Sequence, residues 1–199
     1  MVVCHSKKCI FIHIPKTGGT SIEQFLKDTG KNHLEYIGVR EGRSMHHYFA
    51  FDFKINIPRI FYTYYKFSIV RNPYDRLLSE YYWTPIKDAG YKSNKSKKEF
   101  LNYVIKVMKN KDFFSNIYNE HFIPQHIFIY ANKKLLVDNI FRYEDLDFVE
   151  TYLKKKLNIE NNLPFLNKSN FKKEKWNEKQ KEIIYNLYKK DFILFNYPK

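Results

Sequence analysis

Cysteine is scarce in this chain of 199 residues, where only Cys4 and Cys9 occur. Two thiols so close together cannot build a disulfide framework, which points to a reducing compartment. They also fail as the heart of a metal site. Cys4, His5, Cys9 and His13 lie near one another in sequence, but His13 falls within an apolar strand pattern and no second Cys/His group closes a tetrahedron. Long apolar runs are missing as well, since none approaches the roughly 20 residues that a membrane span needs. The N-terminus carries no secretory apolar region, because the short run CIFIHI leads into a turn instead of a small-residue cleavage site. A soluble, cytoplasmic protein is therefore expected. Two common nucleotide fingerprints, G-x-x-x-x-G-K-[ST] and G-x-G-x-x-G, are absent too.

Acidic residues are outnumbered. The chain has 35 Lys and Arg against 21 Asp and Glu, a formal charge of +14, so an anionic partner is expected. The abundance of Lys, Asn, Ile, Phe and Tyr also fits A/T-rich codons, which weakens bulk charge as a sign of nucleic-acid binding. The length suits one domain, residues 1–199, at roughly 150 residues per domain. Strand patterns at Cys9 to Ile14, Lys66 to Val70, Gln125 to Tyr130 and Leu135 to Phe141 alternate with helical ones, which predicts an α/β fold around a largely parallel sheet. Helix starts are legible in the side chains. Asn72-Pro73-Tyr74-Asp75 supplies a cap, a first-position proline and an early acid. Ser96 to Glu99 and Asp147 to Glu150 are capping-box patterns before apolar faces, and Asn177 caps a last helix expected to reach Tyr188. Lys87 to Ser96 and Asn158 to Lys175 read as exposed loops.

Two stretches carry the chemistry. In IFIHIPKTGGTSIEQFL, from Ile10 to Leu26, an apolar run meets a Lys-Thr-Gly-Gly-Thr-Ser turn and then an amphipathic helix with Ile22, Phe25, Leu26 and Thr29 on one face, closed by Gly30. A helix N-terminus presents unpaired N–H groups and the positive end of the dipole, so a glycine turn entering it forms a phosphate cradle. Gly18 and Gly19 allow close backbone approach, Thr20 and Ser21 offer hydroxyls, and Lys16 precedes the glycine pair where a Walker lysine would follow it. In FSIVRNPYDRLLSEYYW, from Phe67 to Trp83, Arg71 stands at a strand exit and Ser79 one capped helix stretch later. From Asn72 to Ser79 a helix rises roughly 10 Å, which lets a long Arg and a Ser hydroxyl meet on one phosphate beside it.

With both motifs in hand, the sequence resembles the PAPS-dependent sulfotransferases, in particular the carbohydrate sulfotransferase branch. The resemblance rests on PKTGGTS and VRNPYDRLLSEYY and continues through HFIPQHIFI, IFRYEDL, LNKSNFKK and YKKDFILFNY, over nearly the whole chain. It implies a three-layer α/β sandwich around a parallel sheet, related to the P-loop nucleotide-binding proteins. It implies 3'-phosphoadenosine 5'-phosphosulfate (PAPS) as donor and PAP as the spent donor, without a metal. By position, Lys16, Thr17, Gly18, Gly19, Thr20 and Ser21 would hold the 5'-phosphosulfate, and Arg71 with Ser79 the 3'-phosphate. Asn167, Lys168 and Ser169 resemble a segment that closes over the nucleotide.

Sulfuryl transfer needs acceptor oxygen, sulfur and leaving oxygen in line, with the growing charge neutralised. Lys16 is the candidate for the leaving oxygen. The acceptor hydroxyl must lose a proton, for which histidine is the default. In SMHHYFAF, His47 with Ala50 three residues on matches the resembling branch, and His46 is second. Asp52 and Glu80 are the carboxylate alternatives. The expected acceptor is a hydroxyl-bearing glycan or small molecule, to which the 19% aromatic content could offer stacking platforms. An ATP-Mg kinase is the alternative enzyme, short of a Walker lysine and a magnesium-binding carboxylate set. A nucleic-acid module would leave both motifs unexplained.

Overall fold

The computed structural model describes residues 2–27, 34–35, 47–83, 96–110, 119–164, 166 and 174–199. The chain forms two compact units, one of Met1–Arg71 with Gln125–Ser169 and one of Asn72–Pro124 with Asn170–Lys199.

The first unit carries a five-stranded sheet of order β3-β1-β2-β4-β7, where β1 is Val2–Cys4, β2 Cys9–Ile12, β3 Leu34–Glu35, β4 Tyr65–Val70 and β7 Asn139–Arg142. The sheet is mixed, which corrects the expectation of a parallel one. β2, β4 and β7 are parallel neighbours, but β1 runs antiparallel to both β2 and β3. The cause is the connection: Cys4 pairs with Cys9 across a four-residue turn, and so short a link permits only an antiparallel partner. Lys8 closes that turn at φ 46°. Helix α1, Gly19–Lys27, follows β2 and buries Ile22, Phe25 and Leu26 in a core shared with Phe11, Phe67, Ile69, Phe141 and Val149. Each such side chain contributes about 1.5–3 kcal/mol on burial. Thr29 and Gly30, expected at the helix end, lie outside the described residues.

Helices α2, Ala50–Asn56, and α3, Pro58–Thr63, lead into β4. Gln125 to Tyr130 is not a strand, as expected, but chiefly a helix, α4 being Pro73–Trp83, α5 Lys97–Asn110 and α6 Gln125–Ile129. Burial of Gln125, Phe128 and Ile129 shows the helical i, i+3, i+4 spacing, which so short a segment does not disclose in advance. Leu135 to Phe141 also divides. Tyr130–Ala131 (β5) and Lys134–Leu135 (β6) make a separate hairpin, with Asn132 and Lys133 both at positive φ as a two-residue primed turn requires, and β7 starts at Asn139. Helix α7, Leu146–Leu157, begins before Asp147, so the Asp147/Glu150 box does not cap it. Glu150 instead accepts from the Leu163 N–H at 3.1 Å.

The second unit is helical. Asn72 caps α4 by accepting from the Tyr74 N–H at 2.9 Å, and Ser96 and Glu99 exchange the hydrogen bonds of a capping box at α5. Asn177 and Gln180 do the same for α8, Glu178–Leu194, which passes its expected end at Tyr188 with a kink there. Among the described residues no helix is long and apolar enough to cross a membrane.

Candidate functional site

In the first unit, the Lys16–Ser21 turn and Arg71 stand at the carboxyl ends of the parallel neighbours β2 and β4, and Tyr143 follows the end of β7. Ile12 pairs with Ser68 and Val70 with Arg142, so the segments leaving β2, β4 and β7 emerge side by side. That edge is where ligands enter open α/β sheets. The Ser68 hydroxyl donates to the Ile12 carbonyl at 2.7 Å and ties the first two strand ends together.

The turn after β2 is held in an unusual backbone. Lys16 has φ 66° and Gly18 φ 80°. The left-handed region costs an L side chain about 1–2 kcal/mol, so a lysine there is strained where glycine is not. Gly18 has a second constraint, since an added Cβ would come within 2.9 Å of the Tyr143 ring. The Thr17 hydroxyl is buried and donates to the Ile14 carbonyl at 2.8 Å, which leaves the backbone as that residue's offering to an anion. Ser21 accepts from the Leu166 N–H at 3.1 Å, and its own O–H remains a donor. Thr20 is exposed. Among the described residues, nothing accepts from the N–H groups of Gly18, Gly19 and Thr20, and no acid occupies the first turn of α1. The turn thus presents the donors and dipole that an anion requires.

Arg71 reaches the same turn. Its Nη1 donates to the Lys16 carbonyl at 3.2 Å, and its guanidinium carbon lies 4.1 Å from the centre of the Tyr143 ring. No carboxylate pairs with it among the described residues. Gln125, fully buried, fixes the Arg71 backbone from both sides, accepting from its N–H and donating to its carbonyl, each at 2.8 Å. Gln125 and Tyr143 were not signalled in sequence beyond lying in HFIPQHIFI and IFRYEDL.

On the other flank, His13 Nδ1 meets Glu23 Oε1 at 2.8 Å in a buried pair. The His47 ring stands almost perpendicular to that of His13, centroids 5.0 Å apart. Burial pushes the Glu23 carboxyl up, but the hydrogen bond and charge of His13 lead the effects that outweigh it and hold it at about 2. A carboxyl lowered on folding favours the folded state while it is ionised. That contribution, about 3 kcal/mol at 1.36 kcal/mol per pH unit, is complete above pH about 4.5 and is lost as pH falls toward about 2. Urea midpoints of the wild type and Glu23→Gln are therefore expected to differ most near pH 6 and to converge near pH 2.5.

The whole chain supplies the deciding comparison: residues 1–198 match the family described as the sulfotransferase family. The chain belongs to that family. It is an enzyme of the PAPS-dependent class, and the match does not favour the ATP-dependent kinase. Neither curated proteins nor solved structures give a match.

In the sulfotransferase both carboxylate alternatives have hydrogen-bond partners. Asp52 accepts from the Phe49 N–H at 3.0 Å at the start of α2. In the second unit, Glu80 is buried against His121 Nδ1 at 2.8 Å, and Arg76 donates to the His121 carbonyl at 2.8 Å. Burial lowers the Arg76 pKa, against the attraction of Asp191 and Glu80, so this polar cluster is held by mutual pairing. Ser79 is a half-buried residue of α4, which belongs to the second unit. His46, Asn167, Lys168 and Ser169 lie outside the described residues.

Proposed function

We propose that this sulfotransferase moves a sulfuryl group from PAPS to a hydroxyl of a carbohydrate or glycan, on a fold related to the P-loop nucleotide-binding proteins. The observation that carries the reading is the turn from Lys16 to Ser21, where among the described residues three N–H groups have no acceptor and Arg71 lies beside them without a carboxylate partner. A phosphorylated donor fits that set, because backbone donors, a helix N-terminus and a guanidinium all favour phosphate oxygens. The donor brings the activated sulfuryl group, and the protein's own groups do the rest.

In this reading the N–H groups of Gly18, Gly19 and Thr20 and the hydroxyls of Thr20 and Ser21 orient the donor's 5' end, and Arg71 binds a donor phosphate. The Lys16 ammonium neutralises charge as it grows on the leaving oxygen. His47 accepts the proton of the attacking hydroxyl, so that the acceptor oxygen gains its bond to sulfur while the sulfur–oxygen bond to the leaving phosphate breaks. His47 is half-buried, and its ring lies against that of His13, the partner of Glu23 in a buried pair.

Thermal unfolding with PAP, ADP or ATP-Mg tests the donor site. PAP at about 100 Kd is expected to add about 2.7 kcal/mol, which for a chain of this size raises Tm by about 5–10 °C. Arg71→Ala should abolish most of that shift. A larger shift with ATP-Mg than with PAP would overturn the reading.

A further inference from the structure

We propose that His13, locked by Glu23 and Gly19, is a positioning residue for transfer that sets the orientation of the His47 imidazole against the turn from Lys16 to Ser21. The inference rests on the reading of His47 as the proton acceptor and adds two residues to it.

His13 is held on every side that the fold supplies. Its Nδ1 is bonded to Glu23 at 2.8 Å, and a carboxylate acceptor there fixes the ring proton on Nδ1 and the ring in one rotamer. Its face stacks on Phe11, centroids 5.7 Å apart and planes 20° from parallel. Its Cδ2–Nε2 edge lies so close to Gly19 that a Cβ on that residue would clash with it. The His47 ring then meets it at 80°. Gly19 opens α1 and belongs to the anion turn, so His13 bridges the turn and His47 through direct contacts.

Packing alone does not account for this arrangement. Ile10, Phe11, Ile12 and Ile14 are fully buried, and an apolar residue at position 13 would continue that pattern without burying a carboxylate beneath it. A buried ion pair adds little stability over well-packed apolar residues. The imidazole also leaves no space for a side chain at position 19, the first residue of α1. Two local rules are broken at one contact, and the contact abuts the proposed base. Such coincidences mark functional positions.

The test uses Glu23→Gln, which keeps the shape of the side chain and removes its charge, with Glu23→Asp as the variant that keeps the charge. Histidine ring signals are followed by NMR on selectively 13C-labelled protein, with and without PAP, and PAP release from PAPS is measured in water and with a mixed oligosaccharide pool. In Glu23→Gln the ring signals of both His13 and His47 are expected to move, PAP release to fall at least tenfold, and the Kd for PAP to stay within twofold. Glu23→Asp should recover part of the rate. An unmoved His47 signal in Glu23→Gln would overturn the inference, as would a PAP affinity that weakens in step with the rate, which is the sign of a purely structural pair. His47→Ala releasing PAP at the wild-type rate would remove the base assignment itself. Loss of activity in His47→Ala beside an unaltered Glu23→Gln would remove only the role given to His13.

Discussion

Replacing Lys16 by alanine is expected to lower the rate of PAP release by about 10²- to 10³-fold, the range found when one donor to a developing oxyanion is removed. The fold should survive. Lys16 is half-buried at φ 66°, and alanine carries the same Cβ into the same backbone, so the conformational cost is unchanged. A second substitution separates stability from function more sharply. Lys16→Gly relieves the left-handed strain, worth about 1–2 kcal/mol, against an unfolded-state entropy cost of about 0.5–1 kcal/mol. It is therefore expected to unfold at or above the wild-type temperature while being as inactive as Lys16→Ala. The measurements are PAP release at saturating PAPS and calorimetric Tm for both variants. Wild-type turnover in either one would remove Lys16 from the leaving-group role. An unstable Lys16→Gly would mean that the lysine side chain holds the turn together.

The turn from Lys16 to Ser21 was readable in advance because a glycine pair between an apolar run and an amphipathic helix marks it. The signals at both motifs are local. Glycine at φ 80°, an Asn cap at position 72, a proline opening α4 and the capping pairs at Ser96 and Asn177 each act within four residues, and each appears in the structure where the sequence puts it. What escaped the sequence depends on contacts that have no local mark. Gln125 reads as part of a strand because a short segment with the apolar stretch Ile127 to Tyr130 looks the same in either state, and its bonds to the Arg71 backbone cross 54 positions. β1 is only three residues long, and its turn into β2, not its composition, makes the sheet mixed. The Asp147 box has the right letters, but Asp145 stands at the N-cap and α7 starts at Leu146, and Glu150 serves the Leu163 N–H. His13 was visible only as a polar interruption in a strand pattern. Its partner is ten residues away on α1, a distance set by the turn and not by any repeat.

The contact between His13 and Gly19 makes a prediction whose sign depends on the background. Gly19 has no positive φ, so alanine at this first position of α1 suits the backbone and would ordinarily stabilise a helix. Here the added Cβ would clash with the imidazole, which is stacked on Phe11 and bonded to Glu23. Overpacking of this kind costs about 1–3 kcal/mol, or a Tm loss of about 2–12 °C at this size. His13→Ala alone is also expected to destabilise, because it leaves the Glu23 carboxylate buried without its main partner, a loss of about 3–5 kcal/mol. Combining them should not add. In the Gly19→Ala background, truncating His13 opens the space that the new methyl group needs, so the double variant is expected to be more stable than the sum of the single losses by more than 1 kcal/mol, the range of coupling seen for residues in contact. Gly18→Ala supplies the contrast, since its φ of 80° penalises alanine whatever the neighbouring Tyr143 does, and His13→Ala cannot relieve it. Four urea unfolding curves, for wild type, both single variants and the double, decide the matter. Strict additivity would mean that the His13 ring does not dictate glycine at position 19, and the bridge from the anion turn to His47 would lose its first link.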